Sequence, residues 1–116
     1  GFTRFGCGLH EVESLPFSWL GPLAATRGVY LLVHRPTGAQ YVGSATGGDG
    51  LLGRWRGYAD GHGGNVGLKE LAHAADQYEV RILETVGSGA TPEDVYALEA
   101  LWKEKLGSRA MGLNRN

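Results

Sequence analysis

The chain is short and close to neutral. Its 116 residues suffice for one domain with one hydrophobic core, and a single cysteine, Cys7, excludes an internal disulfide. A formal net charge of −1 counts against a strongly electrostatic nucleic-acid binder. No apolar run is long enough to span a membrane and no secretory signal is visible, so we expect a cytoplasmic protein.

The N-terminal residues 1–26 carry no chemical motif, and we assign them to a lead-in segment that covers one side of a sheet. Within this segment Ser14 is a candidate cap for a short helix, which the Gly21-Pro22 pair should end. The main domain is predicted to occupy residues 27–116.

Residues 28–43 predict two strands joined by a tight turn. A β-branched and aliphatic run precedes the Pro-Thr-Gly sequence at 36–38, which is typical of a turn, and similar chemistry returns after it. Each strand carries one tyrosine near a glycine, Tyr30 in the first and Tyr41 in the second. A tyrosine in a strand is ordinarily a good sheet residue. Two tyrosines on the same face of paired strands, however, would place two phenolic hydroxyls side by side.

A glycine-rich loop at 44–50 leads into the next predicted helix. The loop lacks the Gly-Lys-Ser or Gly-Lys-Thr ending of a nucleotide-binding loop and is interpreted as a connector. On the helix, Arg54 and Tyr58 are four residues apart and project from one face, whereas Arg56 points elsewhere. The predicted buried stripe of this helix is Leu51, Leu52, Trp55 and Ala59.

A third strand and a last helix complete the predicted elements. Residues 78–84 alternate apolar and charged side chains, as in a half-buried strand. Thr91 caps the helix, which is predicted to run to about Lys105 and to stop near Gly107. The predicted buried stripe of this helix is Val95, Leu98, Leu101, Trp102 and Leu106.

Glu99 conflicts with its position on that stripe. A carboxylate among apolar neighbours costs several kcal/mol unless it is paired with a charge or binds a cation. From the residues alone, two explanations stay open: a structural salt bridge, with Arg54 or Arg109 as partner, and a ligand to a divalent metal ion.

The two triplets of the hairpin, Gly-Val-Tyr at 28–30 and Tyr-Val-Gly at 41–43, resemble the paired triplets of the GIY-YIG nuclease family, with Val in place of both Ile. Downstream residues match the family in order: Arg54 before Trp55, Glu99 before Trp102, and the closing Gly-x-Asn that ends at Asn114. The resemblance spans residues 28 to 114. It implies an α+β fold within the α/β class, a three-stranded antiparallel sheet flanked by helices, and a nuclease domain at 27–116.

The resemblance also implies a metal-dependent DNA endonuclease. Tyr30 would act as general base and Tyr41 would orient water or phosphate, although the two roles are exchangeable. Arg54, assisted by Tyr58, would neutralise charge on the phosphate. Glu99 would bind a single Mg²⁺ or Mn²⁺ ion, and Asn114 would anchor the site by hydrogen bonding.

The expected partner is DNA, and the candidate substrate-binding residues are Gly43, Arg56, His62 and Asn65. We expect a homodimer partner or a separate DNA-targeting domain to supply specificity, since the chain has few basic residues and begins with Gly1, as a piece of a longer protein would. Two alternatives are a non-catalytic nucleic-acid-binding module and a protein-interaction domain, the latter favoured by the net charge of −1.

Overall fold

The computed structural model describes residues 5–60 and 75–107, which are built around one antiparallel sheet. Its four strands lie in the order β1-β4-β2-β3. The strands are β1 (Gly6–Gly8), β2 (Arg27–His34), β3 (Gln40–Ala45) and β4 (Tyr78–Val86). The α-helices of the described residues are α1 (Phe17–Ala25), α2 (Gly50–Asp60) and α3 (Pro92–Leu106), and 3-10 helices occupy Leu9–Ser14 and Ala75–Gln77. The predicted α+β class with helices around an antiparallel sheet is confirmed.

The predicted hairpin is confirmed as β2 and β3. In its turn Gly38 has φ +75, a conformation that favours glycine, and its N–H donates to the His34 carbonyl at 2.7 Å. The register pairs Tyr30 with Gly43 and Leu32 with Tyr41. Because β3 is the last strand of the sheet, its outer edge has no neighbouring strand among the described residues.

The sheet has four strands, so the prediction of three was one too few. The additional strand, β1, comes from the lead-in segment and pairs antiparallel with β4, with Cys7 opposite Val80. Nearby, Phe5 and Leu9 join the same core as the rest of the domain. A strand of three residues is too short to show the alternation by which strands are recognised in a sequence.

The helix predicted in the lead-in segment exists, but both of its predicted ends were wrong. It begins at Phe17 after Pro16, not after Ser14, and it continues through Pro22 to Ala25. A proline inside a helix removes one backbone donor and crowds the preceding turn. The loss of that donor does not end α1, which continues to Ala25.

The two faces of the sheet bury different side chains, because successive residues of a strand point to opposite faces. In β2, Tyr30 and Leu32 belong to the cluster formed with α1 and α2, whereas Val29 and Leu31 belong to the cluster formed with α3. The bulkiest fully buried side chains of the first cluster are Trp55, Tyr30, Tyr58, Leu9, Leu23, Leu32 and Leu51. The second cluster contains Val29, Leu31, Val42 and Val95, with Leu83, Leu98, Trp102 and Leu106 packed against it.

Strand β4 shows the predicted alternation and also carries a bulge. Its register with β2 shifts by one residue between Val29 and Tyr30, so that Leu83 is an extra residue on β4. Just beyond the bulge, the Glu84 carboxylate accepts a hydrogen bond from Nε1 of Trp102 at 3.0 Å. This hydrogen bond ties the sheet to α3.

Helix α3 begins and ends as predicted, but one side chain of its predicted stripe was wrong. The Thr91 hydroxyl accepts from the Asp94 N–H at 3.1 Å, and Gly107 ends the helix with φ +65. Leu101 is 43 % exposed, because its six-residue offset from Val95 turns it away from the sheet. Lys103 is buried instead, with 5 % exposure.

No helix in the described ranges, 5–60 and 75–107, is long and apolar enough to cross a membrane.

The close packing at Gly28 yields a first testable prediction. A Cβ there would lie 2.9 Å from Cα of Thr85 and closer still to the Glu84 carbonyl oxygen, and neither backbone atom can move without disturbing β4. We expect Gly28→Ala to lower the free energy of unfolding by about 1–3 kcal/mol in urea titrations. Gly47→Ala is the control, because a Cβ there meets nothing within 4 Å. Equal stability of the two variants would contradict the packing described here.

Candidate functional site

A cleft of about 650 Å³ lies beside the outer edge of β3, which has no neighbouring strand among the described residues. One wall is β3 itself, a second is the loop and first turn of α2, and the third is α3. The polar and aromatic side chains that line it are Tyr41, Ser44, Thr46, Asp49, Arg54, Tyr96, Glu99 and Lys103. Alternate residues of β3 point to opposite faces, so side chains from both faces of the sheet reach the cleft at this edge.

Three tyrosines form a cluster on the α2 side of the sheet. The predicted pair, Tyr30 and Tyr41, do share a face, and both belong to the same core cluster. Tyr58 of α2 packs on both, with ring centroids 6.1 Å from Tyr30 and 6.3 Å from Tyr41 in edge arrangements. The hydroxyl oxygens of Tyr30 and Tyr58 are 2.6 Å apart and share a hydrogen bond. Tyr30 is fully buried, whereas Tyr41 reaches the cleft.

Gly43 is the residue over which the Tyr30 ring lies. A Cβ at Gly43 would be 2.5 Å from the Tyr30 hydroxyl oxygen and 2.7 Å from Cζ of the same ring. The pairing of these two residues across β2 and β3 brings the ring directly over the glycine. The glycine of the second triplet thus makes room for the tyrosine of the first, in addition to lining the cleft.

Arg54 is exposed along the cleft, and its guanidinium lies over the Tyr58 ring. The Cζ atom is 5.2 Å from the ring centroid, within the range of a cation–π interaction. The four-residue spacing predicted to bring Arg54 and Tyr58 together does so. This contact directs the guanidinium toward the same opening that Tyr41 reaches.

The tyrosine cluster disfavours the phenolate form. Burial is the main cause that raises the pKa of Tyr30, Tyr41 and Tyr58 above the ordinary value of 10.0, and the nearby Arg54 charge offsets it only in part. For Arg54 itself, burial acts to lower the pKa, but the surrounding tyrosine oxygens outweigh it and the pKa is raised. At neutral pH the cluster therefore consists of three phenols beside one cation.

Glu99 faces the cleft from α3 and is bonded through both oxygens. Ser44 Oγ donates to its Oε1, and Lys103 Nζ lies 2.9 Å from its Oε2. The salt bridge that the sequence left open therefore exists, but naming Arg54 as its cation was wrong. Arg54 lies over the opposite face of the sheet, whereas Lys103 is one turn away on the same helix. Arg109 lies outside the described residues.

The remaining predicted site residues are distributed as follows. Gly43 lines the cleft, while Arg56 donates from Nε to Glu13 Oε1 at 2.6 Å and is not among the residues that line it. His62, Asn65 and Asn114 lie outside the described residues. The roles assigned to all of these residues stay predictions.

Several cleft residues were missed in the sequence. Ser44 directly follows the second triplet, and the alternation of β3 turns it toward α3. Lys103 follows Glu99 at the i+4 spacing that favours a helical ion pair, a signal that was present but not used. Asp49 and Tyr96 line the cleft through the folding of separate segments, which no local pattern indicates.

The cleft has two carboxylates whose chemistry suits a divalent metal ion, Asp49 and Glu99, and Glu99 is the one at the predicted metal-binding position. Mg²⁺ commonly takes one or two carboxylates and keeps several waters, which one cleft-facing glutamate can satisfy. Each carboxylate oxygen of Glu99 retains a lone pair after its bond to Ser44 or Lys103. Within residues 5–60 and 75–107 no group of three or more His, Cys, Asp or Glu side chains is placed to hold a metal ion.

The fold is shared with solved nuclease domains. The catalytic domain of the homing endonuclease I-TevI aligns with a TM-score of 0.58 and 22 % identity, over 78 % of this chain and 98 % of that chain. A mutant of the catalytic domain of the intron endonuclease I-TevI aligns with a TM-score of 0.57 and 21 % identity, over 75 % and 90 %. The resemblance to the GIY-YIG family that the two triplets carry is thus confirmed at the level of the fold.

No family model matches the chain, and no curated protein matches it closely. The shared fold is therefore established by structure, and what the chain does must be inferred from its own cleft.

The buried tyrosines yield a second testable prediction. Their raised pKa values mean that the unfolded chain loses these protons first as the pH rises above about 10. The stabilisation is complete below that pH and is lost above it, by up to about 1.4 kcal/mol per pH unit for each protected tyrosine. Urea unfolding between pH 9 and 12, with tyrosinate absorbance as a second readout, measures this.

The control for this titration is Tyr58→Phe, which removes one of the protected phenols. Its free energy of unfolding should fall less steeply with pH than that of the wild type. Identical slopes for the two proteins would contradict a protected Tyr58.

Proposed function

We propose that the chain is a metal-dependent DNA endonuclease that hydrolyses a phosphodiester bond. The observation that carries this proposal is the meeting of Tyr41, Arg54 and Glu99 in one cleft. These residues come from three different elements, and all three belong to the family pattern found in the sequence. The likeness of the fold to a homing endonuclease catalytic domain supports the same function.

Arg54 is the residue that binds the scissile phosphate in this proposal. A guanidinium offers several donors in a planar fork that matches phosphate oxygens. Its position over the Tyr58 ring fixes the side chain before substrate arrives, so little order has to be gained on binding. Charge that develops on the phosphate in the transition state is then stabilised by a preorganised cation.

Of the two tyrosines, Tyr41 takes the role next to the substrate, because it lines the cleft while Tyr30 is fully buried. This exchanges the two roles expected first from the sequence. Tyr41 accepts the proton of the attacking water only as a phenolate, and its raised pKa opposes that form. Positive charge beside its hydroxyl is therefore required for general-base action, and Arg54 provides part of it.

Tyr30 and Tyr58 act behind Tyr41 as positioning residues. Their shared hydrogen bond and edge-on packing fix the face on which Tyr41 and Arg54 lie. Glu99 would hold one Mg²⁺ or Mn²⁺ ion, which would supply positive charge to the phosphate and would lower the pKa of a bound water. Ser44 and Lys103 orient the carboxylate for this task.

DNA is the proposed substrate, and we propose that specificity comes from outside this cleft. The formal net charge of −1 provides little of the salt-dependent attraction that DNA-binding proteins use. A second copy of the chain or a separate DNA-targeting domain would supply it. We further propose that Asn114 anchors the site and that His62 and Asn65 contact the DNA substrate.

A nicking assay is the direct test, as a third prediction. We expect the wild type to nick supercoiled plasmid at low salt with Mg²⁺ or Mn²⁺, and EDTA to abolish nicking. Arg54→Met should lower the rate by roughly 10²–10³-fold, because it removes a preorganised cation from the transition state. Arg81→Met is the matched control, since that guanidinium is exposed and pairs with Glu79 away from the cleft.

Equal nicking by the wild type, Arg54→Met and Glu99→Gln would indicate a contaminating nuclease and would contradict the proposal. Retained DNA binding without nicking in any metal would favour the binding-module alternative. Absence of both binding and nicking would favour a protein-interaction domain.

The division of roles between the tyrosines gives a fourth prediction. Tyr41→Phe should lose most of the nicking rate with a small change in stability. Tyr30→Phe should instead lower the free energy of unfolding by about 1–3 kcal/mol, because it removes the buried hydrogen bond between the Tyr30 and Tyr58 hydroxyls. Parallel rate and urea-unfolding measurements separate the two. The reverse pattern would return the general-base role to Tyr30.

A further inference from the structure

Lys103 is a buried cation in the cleft, and the family pattern in the sequence gives it no role. Of the charged residues that the structure describes, it is the one that is buried, and its side chain is 6 % exposed. Lysine is rarely buried without a specific partner, because its ammonium loses hydration. The position of this charge therefore calls for a reason.

The ammonium of Lys103 is directed at the proposed metal ligand. Its Nζ lies 2.9 Å from Oε2 of Glu99, while the Ser44 hydroxyl donates to Oε1. The glutamate is four residues N-terminal to the lysine, the favourable order for an ion pair on a helix. Both carboxylate oxygens thus have a donor from the chain itself, and all three side chains line the cleft.

These two donors differ in what they do to a metal ion. Ser44 orients the carboxylate and carries no charge. Lys103 orients it too, but places a full positive charge 2.9 Å from the carboxylate oxygen Oε2, next to the group that a divalent cation would bind. Coulomb repulsion between such charges is substantial at a site that is only partly exposed to water.

We propose that Lys103 is a positioning residue that holds the Glu99 carboxylate in the cleft and competes with the divalent metal ion for it. The chain therefore binds metal more weakly than the same glutamate would without its internal cation. This rests on the proposed function, in which Glu99 is the metal ligand.

Mn²⁺ titration of the full chain tests the proposal without reference to activity. Binding is followed by electron paramagnetic resonance of free Mn²⁺ at fixed pH and ionic strength. Lys103→Met should bind Mn²⁺ roughly tenfold more tightly than the wild type, since one positive charge next to the ion is gone. Lys103→Arg, which keeps the charge, should stay within about twofold of the wild type.

Lys105→Met is the matched control for net charge. It makes the same charge change two residues away, where the ammonium lies 5.2 Å from the Trp102 ring centroid instead of next to Glu99. Its affinity for Mn²⁺ should also stay within about twofold of the wild type, because an exposed charge is screened.

Thermal unfolding distinguishes a change in metal binding from a purely structural effect of Lys103→Met. Without metal, Lys103→Met should be less stable than the wild type, because Glu99 has lost its counter-ion. Saturating Mn²⁺ should raise its Tm by more than that of the wild type, as tighter binding requires. If Lys103→Met does not fold, Lys103→Gln keeps a donor without the charge, and the same tighter binding is expected.

The outcomes separate this inference from the function on which it rests. The wild type could bind Mn²⁺ and the variants without the Lys103 charge could bind it equally or more weakly. That result overturns the competition between Lys103 and the metal ion, and it leaves the metal role of Glu99 intact. No saturable binding by the wild type or either neutral variant overturns both. A double variant with Glu99→Gln and Lys103→Met should lose tight Mn²⁺ binding. If it still binds Mn²⁺ tightly, the ion lies elsewhere, and the competition between Lys103 and the ion is also overturned.

Discussion

The contact on which the site depends is that of the Tyr30 ring with Gly43 on the neighbouring strand. Because the glycine has no side chain, the Tyr30 ring can lie over it, and the Tyr30 hydroxyl hydrogen-bonds that of Tyr58 on α2. That hydrogen bond and the ring packing fix how α2 sits on the sheet. Arg54 is carried by the same helix and held over the Tyr58 ring, so its direction follows from the same contact.

The position of β3 at the edge of the sheet explains how two separate sets of side chains serve one cleft. Tyr41 points to the α2 face, whereas Ser44, further along the strand, points to α3 and bonds Glu99. In an inner strand a neighbour would separate the two faces. At this outer edge the guanidinium of Arg54 and the carboxylate of Glu99 both reach the cleft, from opposite faces of the sheet.

Features with a local cause were predictable from the sequence, and features set by distant partners were not. The turn at Gly38 and the cap at Thr91 follow from backbone preferences of single residues, and both are present. The burial of Lys103 depends on where α3 lies against β3, and no local pattern in the sequence indicates it. Likewise the tyrosines could be placed on one face, but not which of Tyr30 and Tyr41 reaches the cleft.

The short strand β1 has a consequence for how the chain folds. Its partner β4 is distant in the sequence, so their pairing closes a long loop and is expected to form after the local β2–β3 hairpin. Until then β4 presents an unpaired edge with buried-type residues such as Val80, a template for pairing with other chains. Pairing with β1 covers that edge at Glu79, Val80 and Arg81, so shortening the chain at this end is expected to expose the edge again.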